Sequence, residues 1–191
     1  MSRGLAVALE ALRDRGARVV DIRLSPMQDY SATGQVILLA EAFAIHQAHL
    51  KHRYDEFSRS LRDRVVPGAF VTGPDYVQAQ RRRQELIDEL GAAFERVDLL
   101  FTATMPTTAP VLEEVDSLYV FQRPLLTLPF DVTGSPALAV CCGFAGTGLP
   151  ISVQVVGRAF DEATVLRAGH AIEVATGSRS RRPSMPRGSS A

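Results

Sequence analysis

Lysine is almost missing from this chain of 191 residues: its basic side chains are twenty arginines and a single lysine, Lys51. Any reaction that needs a lysine must use that one. Tryptophan is absent, and cysteine occurs only as the neighbours Cys141 and Cys142. One adjacent pair supplies neither a disulfide framework nor a Cys-rich zinc site, so a reducing, cytoplasmic setting is expected. No sign of charge dominates either, because 21 Lys and Arg balance 21 Asp and Glu. That balance lacks the basic footprint of a nucleic-acid binder and excludes DNA or RNA as the main partner. No apolar run approaches the ~20 residues of a membrane span, and Glu10 interrupts the N-terminal stretch before a signal-peptide core develops. No membrane contact is expected.

What the chain does have is apolar material, 46% of its residues, enough for one substantial core. Leu5, Leu9 and Leu12 recur at helical spacing up to Gly16, a C-terminal stop. Val20, Ile22 and Leu24 alternate with polar residues and predict a strand that Ser25-Pro26 closes. From Thr33 to about Arg64 the chain is free of proline, and Val36, Leu39, Phe43, Leu50, Tyr54, Phe57 and Leu61 predict one long helix. A second long helix is expected from about Asp75 to Arg96, with Leu86, Leu90 and Phe94 inward and Arg81-Arg82-Arg83 mostly outward. A buried strand over 97–102 follows, and Met105 to Pro110 leave it as a loop. Pro136–Cys142 and Ile151–Val156 read as two paired strands, and Asp161 as the N-cap of a last helix with Val165, Leu166 and Ile172 as its apolar face. The expected architecture is α/β, with residues 1–176 as one body and 177–191 as a flexible Arg/Ser/Pro tail.

Three segments in order carry a more specific signal: Glu41 with His46 and the helix after it, then Asp75 through Asp98 to Pro110, then Leu126-Thr127-Leu128-Pro129-Phe130-Asp131-Val132-Thr133-Gly134-Ser135-Pro136-Ala137. The last continues into Gly143-Phe144, Gly148-Leu149-Pro150-Ile151-Ser152-Val153-Gln154-Val155-Val156-Gly157 and Phe160-Asp161-Glu162. This order resembles the C-terminal half of the amidase signature family. The resemblance implies α/β/α layers around a mixed sheet, here the C-terminal portion only. It also implies hydrolysis of a linear amide bond in a small-molecule substrate by a serine nucleophile, with a second serine and a lysine, and without metal or cofactor.

In that family the lysine and the glycine- and serine-rich loop lie upstream of everything matched, so no catalytic residue is assigned to this chain. It contains no Gly-Gly-Ser-Ser-Gly-Gly run and no Gly-x-Ser-x-Gly elbow; the nearest imitation is Gly188-Ser189-Ser190. Lys51, between His49 and His52, reads as a solvated lysine. The resemblance offers Thr104, Met105 and Pro106, together with Asp131, Gly134 and Pro136, as wall of a substrate pocket. Asp131 stands where relatives usually carry asparagine, which exchanges a donor for an acceptor.

Other constellations have plainer explanations. His46, His49 and His52 are spaced by three, but on a helix the outer two lie about 120° apart and no further ligand completes a metal set. A Cys141 or Cys142 nucleophile with His170 as base is outweighed by burial in a strand. Gly143 to Gly148 lacks the lysine of a phosphate loop and suits a turn. Two functions therefore stay open, an amidase-family polypeptide contributing its C-terminal half, and a non-catalytic remnant or interaction module. An open sheet edge makes self-association possible.

Overall fold

In a computed structural model, which describes residues 2–119 and 125–182, the first helix, α1 (Ser2–Arg13), buries Ala8 and Ala11 and is followed by Gly16 at φ 90°. The following segment holds no strand. Ile22 and Leu24 do lean on the core, as their alternation requires, yet no neighbouring strand takes up their backbone groups. Periodicity selects the face of a segment, whereas a strand also needs an edge to bond to.

The predicted long helix is divided. Helix α2 (Met27–His52) begins earlier, directly after Pro26, and stops where Arg53 leaves helical geometry at φ −140°. A 3₁₀ turn over Tyr54–Glu56 follows, and Ser58 restarts the chain as α3 (Arg59–Val65) by accepting a bond from the Leu61 amide. The apolar spacing continues across the break, so pattern alone could not place it. The 3₁₀ turn Val66–Phe70 then presses on α2: a Cβ on Gly68 would lie 2.0 Å from the Leu39 carbonyl oxygen. Helix α4 (Gly73–Phe94) opens with a capping box in which the Thr72 hydroxyl and Asp75 carboxylate satisfy each other's backbone amides. Its Leu86, Leu90 and Phe94 are buried as the spacing predicts. The arginine triplet is less solvated than expected, because Arg82 pairs with Asp29 at 2.6 Å and Arg83 donates to the Val132 carbonyl at 2.7 Å.

Three strands form an antiparallel sheet in the order β1 (Leu99–Ala103), β3 (Pro150–Gly157), β2 (Ala137–Phe144). Side chains alternate across β3. Ile151, Val153 and Val155 meet α1 and the last helix, α6 (Glu162–Thr176), while Val156 packs with Leu90, Phe94, Leu100 and Phe130 on the opposite face. Helices thus cover both faces, giving α/β/α layers, with α2 packed on α4 and on a short helix α5 (Leu128–Thr133).

Helix α5 arises in a stretch without readable periodicity. Pro129 in its first turn and Gly134 at φ 70° after its end frame it. Asp161 caps α6 as predicted, accepting from the Thr164 amide, and Val165 and Ile172 are buried; Leu166, assigned to the same apolar face, is instead 59% exposed. Within the segment expected as a tail, Ser178 is buried in a further 3₁₀ turn and the Arg181 guanidinium lies 4.2 Å from the Phe144 ring centre; residues 183–191 lie outside the described residues. Gly188-Ser189-Ser190 lies outside the described residues.

Candidate functional site

The candidate pocket residues fall at two ends of the sheet. Thr104 continues β1, its amide donating to the Ser152 carbonyl, and carries Met105 and Pro106 off that end. Pro136 belongs to the other end: its carbonyl accepts from Gly157, which faces Leu99 at the start of β1. Five residues of β1 therefore separate the two groups, roughly 16 Å at ~3.3 Å per residue. Residues 125–134 run between them, with α5 in the middle, and Asp131 is exposed on it. Partial burial raises the pKa of the Asp131 carboxyl above the ordinary carboxylate value.

The residue that joins the first group to this crossing segment is Gln154, which the sequence offers only as one position of the Gly148–Gly157 motif and not as a site residue. It is 2% exposed, and its side-chain amide donates to the Leu126 carbonyl at 2.7 Å and to the Ala103 carbonyl at 3.4 Å. Its signal is that of the polar member of an otherwise valine-rich strand. Beside it the Thr104 hydroxyl is buried without a hydrogen-bond partner among the described residues. Met105 is exposed and Pro106 half-buried at the mouth of that end.

At the other end, Thr133, Ser135 and Arg158 line a cavity of about 600 Å³ floored by Leu90 and Phe94. The Thr133 and Ser135 hydroxyl oxygens are 3.1 Å apart, and Thr133 donates to the Pro129 carbonyl. Neither has a histidine, lysine or carboxylate partner among the described residues. Arg158 is occupied by the carbonyls of Phe94 and Val97. Such hydroxyls lack the base that a serine nucleophile requires.

Lys51 is exposed in the last turn of α2, with no serine bonded to it among the described residues. His46 stacks edge-on against Phe57 at 5.8 Å, and its Nδ1 is buried without a hydrogen-bond partner among the described residues; His49 lies 6.5 Å away and His52 is exposed. Among the described residues no three His, Cys, Asp or Glu side chains are grouped to hold a metal ion, and no helix is long and apolar enough to cross a membrane. Cys142 is buried, with burial first and Cys141 second pushing its thiol pKa up, while Cys141 is half-buried and donates to the Gly143 carbonyl. His170 faces Glu173 at 3.8 Å. Of the stretch Gly143 to Gly148, Gly143 and Phe144 still belong to β2, and residues 145–149 form the β2–β3 turn, closed by bonds from Ala145 to Leu149 and from Gly148 to Ala145, with Gly148 at φ 83°.

The fold is thus a three-layer α/β body with apolar strands, and among the described residues no serine is bonded to a lysine or histidine. The family model for Amidase matches residues 1–166, and the chain belongs to that family. It is 33% identical over 205 residues to the A-type chain of glutamyl-tRNA(Gln) amidotransferase from Chloroflexus aggregans, covering 94% of this chain and 42% of that protein. The counterpart from Brevibacillus brevis is 35% identical over 149 residues, 74% of this chain and 30% of that one. Among solved structures, an amidase superposes with a TM-score of 0.80 at 31% identity, over 92% of this chain and 42% of the other. A vestigial complex bearing on the origins of an s-triazine catabolic enzyme gives 0.77 at 27% identity, over 92% and 39%. The chain therefore spans less than half the length of these relatives.

Proposed function

We propose that this polypeptide supplies the C-terminal portion of an amidase domain, in a cytoplasmic protein that cleaves a linear amide bond of a small-molecule substrate. The serine–serine–lysine chemistry then resides outside it. The observation that carries this reading is the family match over residues 1–166, in a chain without a serine bonded to Lys51 or to a histidine among the described residues.

A serine hydroxyl needs a proton acceptor within ~2.6–3.2 Å, and a lysine acts as that acceptor only when desolvation lowers its pKa. Exposed Lys51 meets neither condition. The contribution of this chain is shape. The β1 end, with Thr104, Met105 and Pro106, forms one stretch of pocket wall and Gln154 holds the α5 approach against it. Asp131, Gly134 and Pro136 continue the wall toward the far end of the sheet. Purified chain, assayed against simple amides and glutamine, is expected to show no turnover above the buffer rate. Turnover that survives Lys51→Ala, in a preparation free of contaminating amidase, would refute the assignment.

A further inference from the structure

Strand β2 ends the described sheet on the side away from β1. Between it, α6 and the 3₁₀ turn Ser178–Ser180 lies a groove of about 1040 Å³. Leu138, Phe144, Leu149 and Leu166 give it an apolar wall; Leu166, 59% exposed, is the residue that helical spacing puts in the core. Its rim is cationic. Arg179, Arg181 and Arg182 line it, and among the described residues none of the three faces a carboxylate. Arg181 rests on the Phe144 ring and Arg182 donates to the Arg179 carbonyl, whereas elsewhere Arg53, Arg62 and Arg82 are paired with Glu56, Asp55 and Asp29. The one carboxylate in the described lining, Glu173, faces His170 instead. Acidic and basic side chains balance over the whole chain, so this excess of positive charge is local.

We propose that this groove binds a small anionic amphiphile of the medium-chain carboxylate class, its head on Arg179 and Arg181 and its aliphatic body along the wall that ends in Leu166. Charge complementarity fixes the sign of the head, since a neutral or cationic amphiphile gains nothing from the rim. The guanidinium groups are exposed, and exposed ion pairs in water contribute little by themselves. A bare anion is therefore held poorly, and the apolar wall supplies the rest of the affinity. Stacking on Phe144 fixes the plane of the Arg181 guanidinium and leaves its edge free to fork onto two carboxylate oxygens. The volume lies at the upper end of the ~300–1,000 Å³ of small-molecule sites. A recess of this kind takes a single amphiphile, where a lipid surface would need a protruding face.

Titration calorimetry of the full chain with hexanoate, octanoate and decanoate, each below its micellar concentration, tests this. Saturable binding of one molecule per chain is expected, tightening about two- to four-fold per added methylene and weakening as salt is raised. Arg179→Gln combined with Arg181→Gln should weaken decanoate at least ten-fold, and Leu166→Gln at least three-fold. All three side chains are exposed, so the circular-dichroism spectrum should stay unchanged. Cys141 gives a second reading, because it lines the groove half-buried while Cys142 is buried in the core on the other face of the strand. Decanoate should slow the reaction of Cys141 with iodoacetamide over the concentrations that calorimetry finds, and the arginine variant should lose that protection. Absence of saturable binding, equal affinity for decyltrimethylammonium, indifference to the arginine pair, or an unprotected Cys141 would overturn the site. So would adherence to phosphatidylglycerol vesicles without binding of free decanoate, which would assign the arginines to a lipid surface.

Discussion

Replacing Glu89 by alanine is expected to cost about 2–4 kcal/mol, because one carboxylate holds three donors from a segment 59 to 64 residues away. Its Oε1 accepts from the Ser25 amide at 2.7 Å and the Ser25 hydroxyl at 3.1 Å, and its Oε2 from the Tyr30 hydroxyl at 3.0 Å. Tyr30 is 1% exposed. Glu89→Ala therefore strands a buried hydroxyl, at roughly 1–3 kcal/mol, and loses two charge-assisted bonds at a half-buried site. Tyr30→Phe removes the hydroxyl without stranding it and should cost about 1 kcal/mol. The double variant should then fall short of the sum by at least ~1 kcal/mol, since the penalty of the orphan hydroxyl disappears. Urea unfolding at matched m-values measures all four corners of this cycle. Additivity within ~0.5 kcal/mol, or a Glu89→Ala cost below that figure, would refute the clamp.

The same clamp has a pH signature. Burial first, then the bond to Glu89, raises the Tyr30 pKa well above its usual 10.0. The unfolded chain consequently loses this proton first. Above about pH 10 it binds fewer protons than the folded chain, and stability falls with rising pH by up to ~1.4 kcal/mol per unit. Tyr30→Phe should remove that part of the alkaline slope.

Two further perturbations probe the sheet. Gln154→Leu leaves the Leu126 carbonyl without its 2.7 Å donor; a loss of ~1–3 kcal/mol is expected, with faster amide exchange over residues 125–130 than at α4, and unchanged exchange there would count against the tie. Cys142, buried with its thiol pKa raised, should react slowly with a thiol reagent while half-buried Cys141 reacts first; Cys142→Ser should cost ~1–3 kcal/mol and Cys142→Ala less. As that raised pKa dictates, the Cys142 contribution is complete below the thiol's unfolded pKa and is lost as pH rises from there through the folded one, so equal rates for both thiols at neutral pH would refute the burial.

Sequence information of short range carried far. Thr72 with Asp75, Asp161 with Thr164, and Gly16 at positive φ are contacts or angles within three residues, and the helices they bound appear where the pattern puts them. What escaped was set by distant partners. The stretch from Val20 to Leu24 has a strand's alternation but no edge to bond. The long helix breaks at Arg53 without any change in apolar spacing, and Arg82 finds Asp29 across 53 residues. The candidate pocket residues came from resemblance, and resemblance transmits order along the chain rather than distance in space. Thr104 and Pro136 accordingly stand at opposite ends of β1.

Gln154 shows where a residue-level signal was present and undervalued. Between Val153 and Val155, in a strand covered on both faces, a glutamine has no access to water and must find its partners within the protein. A single buried amide can bond only chain groups that end nearby with unpaired carbonyls. Those are the end of a strand and the entry to a helix, which are Ala103 and Leu126 here. A lone polar side chain in an apolar strand therefore marks a place where two loops are brought together. Gln154 accordingly ties the segment that leads into α5 to the end of β1.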